Sequence, residues 1–206
     1  MTEQELLIPV GHDIGVLYSG SGGADQRRQQ VRVGVELFEL ADAEFAVWVL
    51  AHGADDEDRP TRASLTERAE RLGLPVDGVI ERFLADGLLV AVDPTADAAI
   101  DFAQAHQLFP LMHGLGADPD QPWLQSVGLT NRPIAQVSNT VYDVWVWAHL
   151  APELWTGCHH AAKVAEQVGS TSPEETDPRQ VLTGVLGQVH GLLCVRAAYF
   201  DRRRKR

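Results

Sequence analysis

The chain has 206 residues, of which 45% are hydrophobic and 22% charged, and its formal net charge is −12 at pH 7. This composition is typical of a globular protein, and no apolar run approaches the ~18 residues of a membrane span. Because the first residues are acidic where a signal peptide is basic, we expect a cytoplasmic protein. The negative charge repels phosphate backbones, so nucleic acid is disfavoured as a partner.

The C-terminus is the exception to this acidic character. Its last five residues, Arg202 to Arg206, are all basic. We expect this tail to be a solvated, disordered terminus. The alternative is a nonspecific contact with nucleic acid or with an acidic partner.

The sequence contains an internal duplication. Its clearest sign is a predicted helix, because residues 45–52 and 142–149 share five of eight residues at an offset of 97. Other matches recur in the same order: His12 with His106 and Val33–Val35 with Val127–Leu129 at 94, Ala69–Gly73 with Ala165–Gly169 at 96, and Gly87–Val92 with Gly191–Arg196 at 104. We therefore predict two units, residues 1–97 and 98–206, with a boundary at the turn-forming segment Asp93–Asp97.

Each unit is predicted to open with an antiparallel pair of strands. In the first unit these are Ile14–Tyr18 and Gln30–Leu37, joined by a Gly- and Ser-rich loop at Ser19–Gly23. Valines alternate with polar residues along the second strand, which indicates one buried face. The loop lacks the Lys-Ser/Thr ending of a phosphate-binding loop, so we interpret it as a hairpin connection.

Three helices are predicted after the strands. Asp42 is the expected N-cap of the first, whose buried face carries Trp48, and Ser138 or Asn139 caps its copy. We expect His52 and His149, in the last turn of these helices, to bond terminal carbonyl groups.

The second predicted helix is Ser64–Leu72, which Gly73 ends. The third is predicted to begin at Pro75 and to end at Asp86-Gly87, and the strand Leu88–Val92 follows it.

Strands, three helices and a further strand are the element order of a winged helix-turn-helix. We therefore predict an α+β fold of two tandem winged-helix-like units, each a small antiparallel sheet followed by a three-helix bundle and a wing strand. A third helix that reads DNA needs basic or amide side chains on its exposed face. In the first unit that face carries Asp77, Glu81 and Asp86 against the single base Arg82, which argues against groove reading.

The same element order resembles the RiPP recognition element, the PqqD-like domain that binds leader peptides of ribosomally made, modified peptides. The resemblance covers residues 9–92, with a weaker second copy at 103–196, and the tandem arrangement and the winglike strand depart from that family. It implies that a peptide adds as a strand to the small sheet and lies against the third helix. Carried over by position, it implicates Val31, Val33 and Val35 on the strand and Arg82 and Phe83 on the helix.

The densest polar cluster is Cys158-His159-His160. Adjacent histidines on a helix point about 100° apart, so both cannot easily bind one metal ion. Cys158 and Cys194 match neither a disulfide framework nor a CxxC pair, and we expect both to be free. With no hydrolase or dinucleotide motif present, we expect no catalysis, no cofactor and no bound metal.

The leading hypothesis from the sequence is a non-catalytic recognition or adaptor protein that binds a peptide or protein partner, such as a leader peptide in a peptide-modification pathway. The alternative is a DNA-binding transcriptional regulator with tandem winged helices. A third class, a self-assembling homo-oligomer, also fits two acidic homologous units and five tryptophans. We expect no membrane partner.

Overall fold

A computed structural model describes residues 5–17 and 27–203 of the chain. The loop Ser19–Gly23 and the last three residues of the basic tail lie outside the described residues. The first half contains β1 Leu6–Pro9, β2 His12–Leu17, β3 Arg28–Val33, β4 Glu36–Leu40, α1 Asp42–Leu50, α2 Arg62–Arg71, α3 Val79–Asp86 and β5 Leu89–Val92. The second half contains α4 Ala98–Ala105, β6 His106–Pro110, β7 His113–Ala117, β8 Leu124–Leu129, β9 Arg132–Ser138, α5 Asn139–Trp147, α6 Leu154–Gln167, α7 Pro173–Thr176, α8 Pro178–Gln188, α9 His190–Leu193 and β10 Ala198–Arg202.

The predicted α+β class is confirmed, and each half contains the same pair of antiparallel sheets. In the first half β2, β3 and β4 form a three-stranded meander, while β1 pairs with β5, the strand after the helices. In the second half β7, β8 and β9 form the meander, while β6 pairs with β10. In both halves the first and last strands therefore lie side by side.

The predicted strand Gln30–Leu37 is in fact two strands, β3 and β4. Gly34, at φ 61°, and Val35 form the turn between them, and glycine adopts this left-handed backbone without steric cost. Val31 and Val33 are fully buried, whereas Val35 is fully exposed at the tip of the hairpin. The alternation of valines runs through this turn unbroken, so the pattern conceals it.

The helix starts differ from the prediction in two places. Ala41, not Asp42, precedes the first turn of α1, and the Glu44 carboxylate accepts a hydrogen bond from the Ala41 N–H at 3.0 Å. Ser138 caps α5 as predicted, accepting from the Val141 N–H. The third helix of the first half begins at Val79 after Gly78 in the left-handed conformation, instead of at Pro75.

Buried tryptophans occupy equivalent positions in the two halves. Trp48 on α1 and Trp145 on α5 are 0% and 1% exposed, as their helical spacing predicts. The ends of α2 and α6 are also equivalent, because Gly73 and Gly169 both have positive φ directly after the helix. These pairs confirm the offsets of 97 and 96 read from the sequence.

Other pairings read from the sequence are wrong. Strand register aligns Val127 with Val31, not with Val33. Val31 lies opposite Asp13 in the first meander, and Val127 lies opposite Gly114 in the second. In both meanders a register shift follows this pair, and it ends at a glycine of the opposite strand. By the same register His12 corresponds to His113, not to His106.

The last strand of the second half is also displaced from its predicted position. Residues 190–193 are helical, and the strand follows at Ala198–Arg202. The N–H of Ala197 bonds the carbonyl of Leu192, as the N–H of Leu88 bonds that of Phe83, so Leu88 corresponds to Ala197 instead of Leu192.

The two halves pack against each other, and their buried residues form one contiguous core. The Asp201 carboxylate of β10 accepts hydrogen bonds from the Gly34 N–H at 2.6 Å and from the Arg32 guanidinium at 2.7 Å. His190 contributes a further contact through its ring nitrogen, 3.2 Å from the carbonyl oxygen of Leu7. Asp93–Asp97 forms the predicted turn between the halves, and α4, which the sequence analysis does not predict, follows it. Within the described residues no helix is long and apolar enough to cross a membrane.

Candidate recognition surfaces

The side chains that the resemblance implicates in peptide binding do not form one surface. Val31, Val33 and Phe83 are 0% exposed and lie in the core. Val35 lies at the tip of the β3–β4 hairpin. Of the apolar residues in this set, only Val35 presents its side chain to solvent.

The fifth implicated residue, Arg82, is partly exposed but already has partners. Its guanidinium forms an ion pair with Glu44 at 2.8 Å and lies 5.5 Å from the centre of the Phe83 ring. The neighbouring Glu81 pairs with Arg62 of α2. Arg82, the single base on the exposed face of α3, is therefore neutralised by an acid, which gives this face little attraction for phosphate groups.

Strand β3 is the central strand of its sheet, so a peptide cannot pair with it. Its neighbour β4 is an outer strand, but the entrance between β4 and α3 is crossed by Arg202. The Arg202 guanidinium pairs with Glu36 of β4 at 2.6 Å and donates to the Asp86 carbonyl of α3 at 2.6 Å. The first residue of the basic tail is therefore part of the folded structure, which corrects the expectation that the whole tail is disordered.

The corresponding outer strand of the second half, β9, borders an open groove. The groove has a volume of about 550 Å³ and lies between β9, the end of α9 and a loop from the first half. Among the described residues no strand pairs with the outer side of β9. The lining residues are Ala54, Asp55, Asp56, Pro133, Ile134, Ala135, Gln136, Gly191, Cys194 and Val195.

β9 contains an inserted residue that β4, the corresponding outer strand of the first half, lacks. On the β8 side Val127 pairs with Ala135 and Gly128 pairs with Pro133, so Ile134 is left over as a bulge. This insertion accounts for the change of offset from 96 at Val127 to 97 at Trp145. Ile134 is 37% exposed and lines the groove. A β-bulge re-aims a side chain, and here the side chain is apolar.

Glycine is required at Gly128, opposite the bulge. A Cβ atom built there would lie 2.1 Å from the carbonyl oxygen of Arg132, because the two strands approach closely at this point. The hairpin turn beyond it places Asn131 at φ 61°, a conformation that asparagine tolerates better than most residues. Gly128 and Asn131 therefore both suit the backbone geometry around the bulge.

The far wall of the groove is acidic. It is formed by Asp55 and Asp56, whose loop follows α1 of the first half. Burial, Asp56 and Asp55 raise the pKa of the Cys194 thiol, which therefore stays protonated at neutral pH. A protonated thiol is a poor nucleophile, so the groove is suited to binding and not to thiol chemistry.

Two other cavities have less favourable linings for an extended peptide. A cavity of about 810 Å³ lies beside α2, but two of its four charged lining residues, Arg62 and Glu67, are already in ion pairs with Glu81 and Arg71. A smaller cavity of about 220 Å³ lies between the halves and is lined by Gly11, His12, Asp13, His52, Leu111, Arg196, Ala198 and Tyr199.

The histidines in the cavity between the halves are uncharged at neutral pH. Burial, assisted by the positive charge of Arg196, lowers the pKa of His52 to about 3. Burial and Arg32 lower the pKa of His12. No serine, threonine or cysteine is among the residues that line this cavity.

No protein-family model, no curated protein and no solved structure matches this chain. The groove beside β9 and the exposed cavities are therefore interpreted from their own residues.

The Cys158-His159-His160 cluster is divided among three environments. The Cys158 side chain is buried in the core, and burial raises its pKa to about 12. His159 packs edge-on against Trp155 with ring centres 4.7 Å apart, whereas His160 lines a cavity between α5 and α6. Both cysteines are free, as predicted. Among the described residues no group of three or more His, Cys, Asp and Glu is placed to hold a metal ion.

Proposed function

We propose that this protein is a non-catalytic recognition protein that binds an extended peptide along the outer edge of β9. The observation that carries the proposal is the unpaired edge of β9, with the bulged Ile134 exposed in a groove of about 550 Å³. An outer strand presents a row of free N–H and C=O groups that another chain can pair with. Peptides that add to a sheet in this way gain affinity from the main chain and specificity from side-chain pockets.

The groove also defines the chemistry of the peptide. Ile134 and Val195 provide apolar surface for alternate side chains of an added strand. Asp55 and Asp56 place two carboxylates on the opposite wall, which favours a basic residue in the peptide. We therefore propose an extended ligand with an apolar side chain against β9 and a lysine or arginine facing the acidic loop.

The arrangement fits a pair of winged-helix-like units that resemble the RiPP recognition element. In each half a three-stranded meander is followed by helices, and the strand after those helices pairs with the first strand; in the second half a further helix, α4, comes before the sheet strands. A leader peptide is extended and disordered when free, as a strand-adding ligand must be. We place peptide binding in the second half, because in the first half Arg202 crosses the entrance between β4 and α3.

The competing proposal of a DNA-binding regulator has less support. The net charge is −12, and Arg82 of α3 is paired with Glu44. Phosphate contacts supply most of the affinity for DNA, so a surface of neutralised bases binds it weakly.

Selection from a displayed library of random peptides tests the proposal. We expect enriched peptides to share an apolar residue and a basic residue, and to bind the purified protein with a 1:1 stoichiometry in fluorescence anisotropy. The variant Ile134→Glu should weaken that binding at least about tenfold, because it places a charge in the apolar part of the groove.

The matched control is Leu37→Glu on β4, since Leu37 is also an exposed apolar residue of an outer strand. Leu37→Glu should leave peptide affinity unchanged. Equal losses in both variants would contradict binding at β9. Tight, salt-sensitive binding of random duplex DNA would instead support the regulator.

A further inference from the structure

A second cavity, separate from the β9 groove, lies between α5 and α6 and has a volume of about 240 Å³. It is lined by Gly157, Ala161, Trp147 and Val164, together with the polar side chains of Asp143 and His160. Trp147 is 63% exposed although it is the largest side chain at the site. An exposed tryptophan beside a cavity is an available aromatic surface for a ligand.

The residues that line this cavity differ from those at the equivalent positions of the first half. Because α2 and α6 end in equivalent turns, Ala161 corresponds to Leu65. Leu65 is fully buried in the first half, whereas Ala161 leaves space that the cavity occupies. On the facing helix Asp143 stands at the position of Ala46. The second repeat therefore combines a smaller residue with a new carboxylate at the same place.

Asp143 has no hydrogen-bonding or ionic partner among the described residues. Burial and the nearby negative charge of Glu175 raise its pKa, and no positive group offsets them. An adjoining cavity of about 310 Å³ shares Asp143 and Val164 and is bordered by Glu175. No lysine or arginine is among the residues that line either cavity.

We propose that this site binds an organic cation, an ammonium group carried on a short apolar chain. Asp143 is exposed, but its carboxylate has no ionic partner in the described part of the chain and lies beside an apolar cavity, where a cation with N–H donors can pair with it. Asp143 supplies that carboxylate, Val164 and Ala161 contact the chain, and the Trp147 ring attracts the positive charge through its π face. The ligand is either a free alkylamine or the lysine side chain of a peptide.

Isothermal titration of the full-length protein with n-butylammonium tests the site. We expect saturable 1:1 binding, with a change in tryptophan fluorescence that Trp147→Phe removes. The uncharged n-butanol should bind at least tenfold more weakly. If n-butanol binds as well as the amine, or if n-butylammonium does not saturate, the cation site is contradicted.

Two variants separate the site from the fold. Asp143→Asn should weaken n-butylammonium binding at least tenfold and leave the melting temperature unchanged, because Asp143 is exposed and has no partner among the described residues. Ala161→Leu should fill the cavity as Leu65 does in the first repeat and abolish binding in a folded protein. Asp101→Asn, an exposed change of the same charge on α4, is the control and should have no effect.

The source of the cation is distinguished by comparing n-butylammonium with Nα-acetyl-lysine amide. Tighter binding of the lysine derivative assigns the site to a peptide side chain, and tighter binding of the amine assigns it to a free alkylamine. Unchanged binding of both compounds by Asp143→Asn would overturn the proposal. Peptide binding at β9 is read separately with Ile134→Glu, so either result stands without the other.

Discussion

The indole N–H of Trp48 donates a hydrogen bond to the backbone carbonyl of Leu88, 3.2 Å away. The same carbonyl accepts from the N–H of Val10 at 2.9 Å. In the second half the Ala197 carbonyl accepts from Trp145 at 3.1 Å and from the N–H of Leu111 at 2.8 Å. One side chain thus ties the helix that follows each meander, α1 or α5, to the place where the first and last strands meet.

Replacing either of these tryptophans with phenylalanine should destabilise the protein. We expect Trp48→Phe and Trp145→Phe each to cost about 1.5–3 kcal/mol, because a buried hydrogen bond is lost and a small cavity is left. Urea denaturation measures the change, with Trp147→Phe at an exposed position as the control. A cost for the buried pair no greater than that of Trp147→Phe would contradict the proposed role of the indole.

Gly87 and Arg196 occupy equivalent positions with φ of 73° and 58°, and the consequences of mutation should differ. Gly87→Ala should cost about 1 kcal/mol or more, because a Cβ atom would lie 2.6 Å from the Arg202 guanidinium and strain the backbone. Arg196→Gly relieves that backbone strain but loses a cation–π contact with Trp48 at 5.3 Å and adds freedom to the unfolded chain.

These opposing effects should leave Arg196→Gly within about 1 kcal/mol of the parent protein. Thermal unfolding of the two variants side by side checks the contrast. A similar loss of stability in both would show that the two positions do not share one backbone role.

The free energy of unfolding should decrease as the pH falls below about 6.5, the pKa of histidine in the unfolded chain. Burial lowers the pKa of His52 to about 3 and that of His190 to about 4, both from 6.5. Between pH 6.5 and 4 the unfolded state therefore binds protons that the folded state excludes, so the free energy of unfolding decreases. Each histidine contributes up to about 1.4 kcal/mol per pH unit in this window.

Urea denaturation at intervals between pH 7.5 and 4.5 measures this dependence. His190→Gln, which retains a donor for the Leu7 carbonyl, should reduce the slope between pH 6.5 and 5. A free energy of unfolding that stays constant from pH 7 to 5 would mean that these side chains are not buried as neutral groups.

The contact between the halves should depend on Asp201. Asp201 is 5% exposed and bonds Arg32 and Gly34, so Asp201→Asn leaves the Arg32 guanidinium without its counter-ion. We expect Asp201→Asn to lower the free energy of unfolding by about 1–3 kcal/mol. This is less than the effect of breaking a fully buried ion pair, because Arg32 is partly exposed. A double-mutant cycle with Arg32→Met isolates the pair.

The exposed pair between Arg202 and Glu36 provides the comparison for Asp201. Glu36→Gln should change the free energy of unfolding by less than about 1 kcal/mol. If the two substitutions have equal effects, the buried carboxylate does not hold the halves together.

Sequence patterns identify the features of this fold that depend on neighbouring residues. Helical spacing places Trp48 and Trp145 in the core, and Gly73 and Ser138 mark a helix end and a helix start, because each effect acts within one or two turns. His52 follows the last residue of α1 instead of lying in its last turn, and it donates to the Trp48 carbonyl, a contact with a terminal carbonyl as predicted. His149 does not repeat this contact, since its Nδ1 is buried without a partner among the described residues.

Features that depend on distant residues are not visible in the sequence. The similarity between Gly87–Val92 and Gly191–Arg196 is misleading, because residues 190–193 extend the helical region and the pairing of β10 with β6 fixes the true position of the strand. The groove beside β9 is built by Ile134 and by a loop from the other half. The offset read from the sequence rises from 94 in the strand to 97 in the helix, which indicates an insertion between them, but only the strand register of Val31 and Val127 reduces it to the one residue of the bulge.

The most direct test of peptide recognition is amide hydrogen exchange of the protein with and without a peptide enriched in the library selection. Pairing with an added strand protects backbone N–H groups on the strand that it joins. We predict that bound peptide slows exchange in residues 134–137 of β9, since Pro133 has no N–H and the Ser138 N–H already bonds Gln188, and leaves residues 36–40 of β4 unchanged. Protection that appears on β4, or on neither strand, would contradict strand addition at β9.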